Sequence, residues 1–266
     1  MKNLEIEQKI IIVDDNSQDG SYEKILEKYG SKYMILQTGR ETLYQNAGLP
    51  LDLAAPHITT DYVCSLDCDC IPMSKDWLIT PISKVDEGYV FVGRNSAFEQ
   101  PYMEFGKNNP NMVRFMIVDN CYRVSTTKDF KYISENCGFS VHFSHGVGNN
   151  WNEPGFTPMT GHADSGVAAN YYVYAFMGRE SFPMPIIKVI GRVDKHGGFG
   201  QNIDDLVFHM ALGSRRVSPT RGNISDVGDE YEGYIKRMET DGFTDDFVME
   251  LFSKCSHTMY KYIREE

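Results

Sequence analysis

A chain of 266 residues with 41% hydrophobic and 24% charged residues has room for one large α/β domain and a core adequate without disulfide staples. A formal net charge of −11 argues against a nucleic-acid backbone binder, whose affinity comes from Lys and Arg neutralising phosphates. An anionic nucleotide is compatible with that charge, because one divalent metal and a few local cations are sufficient.

The six cysteines, Cys64, Cys68, Cys70, Cys121, Cys137 and Cys255, do not form the framework of a small secreted domain. Buried free thiols are expected, with a zinc site built on Cys64, Cys68 and Cys70 as the minor reading. No run reaches about 18 apolar residues, and Met1 to Glu7 lacks the apolar core of a signal peptide, so a cytoplasmic chain without a membrane span is expected.

Lys9-Ile10-Ile11-Ile12-Val13 is a continuous β-branched run, which predicts a strand buried on both faces as in a parallel sheet. Asp14-Asp15-Asn16-Ser17-Gln18-Asp19-Gly20-Ser21 turns the chain. Tyr22, Ile25, Leu26 and Tyr29 then mark one face of a short helix that Gly30 closes, and Tyr33 to Leu36 reads as the next strand. A second helical piece runs from Asn46 to Ala55. Pro56 to Tyr62 leads into Val63-Cys64-Ser65-Leu66-Asp67-Cys68-Asp69-Cys70, an apolar run whose extended backbone would put Asp67 and Asp69 on one face at its carboxyl edge. Pro72 stops it. Two carboxylates so close disfavour each other's ionisation unless a cation sits between them, and oxygen ligands suit Mg²⁺ or Mn²⁺. The alternation of strands and helices predicts an open, mostly parallel sheet with ligands at the carboxyl ends of its strands. Asp14, Asp15, Asp67 and Asp69 would then face one nucleotide-sized crevice. The plainer readings are turn chemistry for Asp14 and Asp15 and a solvated acidic pair for Asp67 and Asp69.

Further along, Leu78 to Val85 predicts a helix after Trp77, and Tyr89 to Gly93 a strand. Residues 94 to 160 show no sustained period and read as a loop-rich insertion at the crevice, carrying His142, His145 and Trp151. Tyr171 to Phe176 alternates like a strand. Gly197 to Gly200 precedes Asp204-Asp205, with Leu206, Val207, Met210 and Leu212 as a helical apolar stripe. Glu230 to Met238 and Asp245 to Ile263 read as two helices. The stripe Val248, Leu251, Phe252, Cys255, Met259 and Tyr262 packs on the domain or on a second subunit.

Val13-Asp14-Asp15-Asn16-Ser17-x-Asp19-Gly20-Ser21, followed by Leu66-Asp67-Cys68-Asp69, resembles the nucleotide-sugar-dependent glycosyltransferases of GT-A fold, nearest the inverting family two. The resemblance covers residues 9 to 80 and returns around 170 to 212. It implies an α/β, GT-A-like (Rossmann-like) fold: a mostly parallel central sheet flanked by helices, with a loop-rich acceptor-side insertion. A single domain is implied, with a nucleotide-binding half (9–93), an acceptor-side half (94–212) and a C-terminal helical segment (213–266). Asp15 maps to the nucleoside contact, with Asp14 and Ser17 in the same turn. Asp67 and Asp69 map to the ribose and the metal that bridges the diphosphate. Asp204-Asp205 is the nearest match to the acidic pair that opens a helix and supplies the general base, with Asp205 first. Aligning His209 with the family's helix-borne Arg would move that pair to Asn202-Ile203. Asp226 stands where the family has a metal-binding histidine, and one of Arg215, Arg216 and Arg221 would meet the diphosphate. Two departures stand out. Only eight residues precede Lys9, where the family has a further strand, and Asn46 to Asp61 lacks an Ala-Arg-Asn segment.

The implied activity is metal-dependent transfer of a hexosyl or pentosyl group from a nucleotide diphosphate donor, UDP-sugar first, to a hydroxyl acceptor, a glycan first. Mn²⁺ or Mg²⁺ is the implied cofactor and the outcome inversion; a homodimer is the assembly that the C-terminal stripe allows if it does not pack on the domain. A nucleotidyltransferase acting on sugar phosphates, and a non-catalytic carbohydrate-binding protein on a decayed transferase fold, are the rival readings.

Overall fold

The computed structural model describes residues 6–17, 20–39, 48–95, 102–105, 113–140, 166–192 and 198–210. The first β-branched run forms β1 (Ile11–Asp14), followed by α1 (Ser21–Tyr29) and β2 (Met34–Gln37), which pairs parallel with β1 in the register Ile11↔Met34. This is the expected βαβ unit. It differs in one respect: Ile11, Ile12 and Val13 are only half-buried. Among the described residues β1 pairs with β2 alone and β3 (Tyr62–Leu66) with one other strand, so no described strand joins the two sheets.

The expected single strand through Asp67 and Asp69 is two strands in two sheets. β3 ends at Leu66. The amide of Cys70 donates to the carbonyl of Asp67 at 3.0 Å, closing a turn, and β4 (Cys70–Pro72) leaves in another direction. α2 (Leu49–Ala54) and a 3₁₀ turn (Ala55–His57) precede β3, and α3 (Ile79–Asp86) and β5 (Val92–Asn95) follow β4, near the expected positions.

Residues 94 to 160 hold more regular structure than their composition announced. β6 (Tyr102–Phe105) and β7 (Val113–Met116) form an antiparallel pair, and β8 (Val118–Thr126) is the longest strand of a four-stranded mixed sheet. α4 (Thr127–Asn136) starts at Thr126, whose hydroxyl accepts from the amide of Asp129 at 3.0 Å, a side-chain N-cap. α5 (Val167–Ala175) replaces the strand expected over Tyr171 to Phe176, with Val167, Ala168, Ala169, Asn170 and Val173 buried. The Asn170 side chain bonds the amide and carbonyl of Val118 at 3.0 and 2.9 Å, tying the helix to β8.

The mixed sheet runs β3-β8-β5-β9, where β9 is Phe182–Met184. Only β5 and β9 are parallel in it; β8 is antiparallel to both neighbours. The α/β class holds, with parallel pairing among the described residues confined to β1–β2 and β5–β9. Gly93 lies so close to β8 that a Cβ there would stand 2.0 Å from the carbonyl oxygen of Tyr122. A second sheet, β10-β11-β12-β4, is antiparallel throughout and includes β10 (Ile186–Arg192), β11 (Gly198–Ile203) and β12 (Val207–His209). The helix expected after Asp204-Asp205 is therefore a hairpin. Asp204 and Asp205 have φ of 50° and 56°, and Leu206 N donates to Ile203 O at 2.9 Å, closing a turn with both central residues in the left-handed region.

One apolar cluster lies around β4, β8 and β12, including Tyr122, Ile203 and Val207, and another around Phe91, Phe130, Ile133 and Phe139. Arg123 is buried against the second, its guanidinium 4.4 and 4.5 Å from the Phe91 and Phe139 ring centres. Burial pushes its pKa down to about 10, against the pull of Asp119 and Asp52. No described helix is long and apolar enough to cross a membrane.

Candidate active site

The turn between β3 and β4 is fixed by backbone bonds on both sides. Asp67 N donates to Cys121 O on β8 at 2.8 Å, and Met210 N donates to Asp69 O at 2.9 Å. Pairing of β12 with β4 puts His209 opposite Cys70, one residue from Asp69. Its Nε2 lies 3.4 Å from Asp69 Oδ1, and one ligand atom from each of Asp67, Asp69 and His209 falls within 4.8 Å of the others. Asp67 is open to solvent, Asp69 half-buried and His209 buried.

Asp67 presents a surface to water but stands in a hollow of protein. Desolvation first, then the charges of Cys121, Asp69 and Asp119, raise its carboxyl to about 7, against the opposing effect of His209. A carboxyl held that high is only partly compensated by His209, and a bound cation would supply the positive charge it still needs. Burial disfavours charge on His209, but Cys121 and the hydrogen bond to Asp69 outweigh it and raise its pKa. At Cys121 burial opposes a thiolate, while the hydrogen bond from Cys70 and the charges of His209 and Arg94 prevail over Asp119 and lower the thiol pKa. Beneath the site, Arg94 forms an ion pair with Asp119 and donates through Nε to Gln201 Oε1 at 2.6 Å. The Arg94 charge, working against burial, holds Asp119 below the usual carboxylate range.

Asp14, Asp15 and Ser17 form their own cluster at the end of β1. Asp14 is buried, and its Oδ2 accepts from Ser17 N at 2.9 Å and from Gln37 Nε2 at 3.2 Å, so it shapes the turn. Asp15 is exposed and accepts from the Thr38 hydroxyl at 2.8 Å. Asp204 and Asp205 lie at the end of β12 remote from His209. Four residues of chain at about 3.3 Å each separate Asp205 from it. Asp205 is further engaged with Asn202, whose Nδ2 donates to it at 2.8 Å and whose Oδ1 accepts its amide at 3.0 Å. Trp77 packs against Tyr122, whose hydroxyl donates to the Trp77 carbonyl, in keeping with a packing role. Asp226, Arg215, Arg216, Arg221, His142, His145, Trp151, Cys255 and the helices expected over 230–238 and 245–263 lie outside the described residues. His209 was legible only as an alignment question, because its meeting with Asp69 depends on the β4–β12 pairing.

The family model for glycosyl transferase family 2 matches residues 3–146, which include β1, the β3–β4 turn, β8 and α4. The chain belongs to glycosyl transferase family 2. No curated protein and no solved structure matches it. Membership makes this a glycosyltransferase with a GT-A-like α/β fold, taking a nucleotide-sugar donor and an acceptor, in a family whose enzymes commonly depend on a divalent metal. Two carboxylates and an imidazole within 4.8 Å are a donor set that fits such an ion.

Proposed function

We propose that the protein transfers a sugar, hexosyl or pentosyl, from a UDP-sugar to an acceptor hydroxyl on a glycan with inversion. In this reading Asp67, Asp69 and His209 hold the divalent cation. The convergence of those three side chains within 4.8 Å carries the reading. An imidazole beside two carboxylates favours Mn²⁺ over Mg²⁺, which prefers oxygen alone. When bound, the cation would offset charge on the departing nucleoside diphosphate, so that no protein acid is needed there. His209 is the third ligand in this reading; Asp226, which the resemblance offers for that place, lies outside the described residues. Asp15, exposed beside Thr38, contacts the nucleoside, while Asp14 and Ser17 hold the turn that presents it.

Inversion requires a carboxylate that takes the acceptor hydroxyl's proton on the face opposite the diphosphate. The family places that acid just ahead of a helix, and Asp204-Asp205 opens a hairpin instead. Asp164 stands two positions before Gly166, the residue from which α5 starts, and keeps the acid-before-helix order. Asp164 lies outside the described residues and is proposed as the base from chain order alone, with Asp205 as the alternative; kcat of the two Asn variants decides between them.

A single transferase domain is supported by pairing across the expected halves, β5 with β8 and β4 with β12. Five free thiols among the described residues, Cys64, Cys68, Cys70, Cys121 and Cys137, favour the reducing cytoplasm. The test is Mn²⁺-dependent hydrolysis across a panel of nucleotide sugars, with Asp69→Asn as control. Release of UDP and free sugar, lost in the variant, is expected. Nucleotide transfer to a sugar phosphate would favour the nucleotidyltransferase, and absence of metal-dependent donor binding the carbohydrate-binding scaffold.

A further inference from the structure

Alternation through the β3–β4 turn gives it a second set of ligands. Asp67 and Asp69 belong to the carboxylate cluster, whereas Cys70, the next residue, is buried and meets Cys121 from β8 and His209 from β12. One ligand atom from each of these three lies within 4.8 Å of the others, and all three residues are buried. Cys121 Sγ is 3.9 Å from His209 Nδ1, and the Cys70 thiol donates to the Cys121 carbonyl at 3.3 Å.

Tetrahedral zinc with ordinary bond lengths holds two sulfurs about 3.8 Å apart and a sulfur and a nitrogen about 3.6 Å apart. The sulfur–nitrogen separation here is within a few tenths of an ångström of that value. Two sulfurs and an imidazole are a soft donor set, unlike the harder set beside it.

We propose that Cys70, Cys121 and His209 Nδ1 form a binding site for a soft divalent ion of the zinc class, and that this site competes with the carboxylate site for His209. Binding forms two metal–sulfur bonds and one metal–nitrogen bond and releases to solvent the protons that the two sulfurs and Nδ1 carried; no oxidant or reductant takes part. The fourth position is left to water or an incoming ligand. A neutral imidazole has one lone pair. When Nδ1 gives it to the soft ion, Nε2 carries the hydrogen and donates to Asp69. When Nε2 gives it to the ion between Asp67 and Asp69, Nδ1 carries the hydrogen and faces Cys121. Zinc is thereby a negative regulator of the metal that the transfer requires. The competition rests on the carboxylate cation site proposed above; the thiolate site stands without it.

The test uses the full chain, reduced and free of oxygen, titrated with Co²⁺. A thiolate-to-cobalt charge-transfer absorption saturating at one ion per chain, displaced by zinc, is expected in the unaltered protein and in Asp67→Asn, and absent in Cys70→Ser and Cys121→Ser. In parallel, free Mn²⁺ is followed by electron spin resonance. One equivalent of zinc should weaken Mn²⁺ binding roughly tenfold or more, the scale on which a ligand's surroundings tune a site.

No charge-transfer absorption in the unaltered chain overturns the proposal, so serine variants that failed to fold would not shelter it. Absorption that survives both serine substitutions overturns it as well. Mn²⁺ binding indifferent to zinc overturns the sharing of His209. Failure to bind Mn²⁺ even without zinc overturns the competition together with the carboxylate site, while the cobalt absorption would still establish the thiolate site.

Discussion

His209 Nε2 stands 3.4 Å from Asp69 Oδ1, and the backbone holds the two residues together independently of that contact. Met210 N donates to Asp69 O, and His209 is in register with Cys70, so the imidazole is presented to the turn by strand pairing. A side chain positioned in this way loses little freedom when it takes a ligand's place. His209→Ala should therefore weaken Mn²⁺ binding by about 10-fold to 100-fold. Titration of Mn²⁺ into the variant, with thermal unfolding as a check on the fold, measures this; unchanged affinity would remove His209 from the ligand set.

The raised carboxyl of Asp67 sets a pH dependence. Its folded value, about 7, lies above the ordinary 3.8, so the metal-free native state holds this proton more tightly than the unfolded chain does. Ionising it costs native stability progressively as pH rises from about 4 to about 7, with the cost complete above that. A cation reverses the cost and must displace the proton below about pH 7. Mn²⁺ affinity should fall by about tenfold per pH unit or more there, since a proton held on His209 must leave as well, and Mn²⁺ should raise Tm more at about pH 8 than at about pH 5.5. Affinity that is flat across this range would contradict the assignment.

The choice of base is decided by two variants. Asp164→Asn should retain Mn²⁺-dependent donor binding and lower kcat by about 10²-fold to 10⁴-fold, the usual contribution of a general base. Asp205→Asn should leave kcat within about twofold. The reverse pattern would restore Asp205.

Asp52 carries a structural load. Its carboxylate accepts from the Ser134 hydroxyl at 2.8 Å and from the amides of Phe139 and Ser140 at 2.9 and 2.8 Å, pinning the chain after α4 onto α2. Asp52→Ala should destabilise the fold by about 2 kcal/mol or more, since each charge-assisted bond contributes about 1.5–3 kcal/mol and both amides lose their partner. Phe139, fully buried against Phe91, Phe130 and Arg123, should cost about 3–5 kcal/mol as Ala. Urea unfolding measures both, and a Phe139→Ala change below about 1 kcal/mol would mean the cluster is not a core.

Local patterns carried much of this. β1, α1, β2, α2 and α3 were readable because helical and strand periods operate over a few neighbouring residues, and the Asp14-Asp15 and Asp67-x-Asp69 segments because their chemistry is contiguous. β8 was unreadable for the opposite reason. Val118 to Thr126 mixes Asn120, Arg123 and Ser125 with apolar residues and shows no period of two, because protein covers both its faces and the polar groups are buried too. The segment after Asp204-Asp205 reads as a helix because Leu206, Val207 and Met210 satisfy helical spacing; both acids instead adopt positive φ in the turn between two paired strands.

The sequence by itself determined an α/β fold resembling the glycosyltransferases of family two, with paired acids at a strand's end, since these follow from residue types at short spacing; the turn that carries the pair from β3 into β4 came with the tertiary structure. Only the tertiary structure decided which side chains share that turn. It brought His209 to the carboxylates and Cys121 to Cys70, because strand pairing sets which distant residues lie side by side, and no local period encodes a register between strands so far apart in the chain.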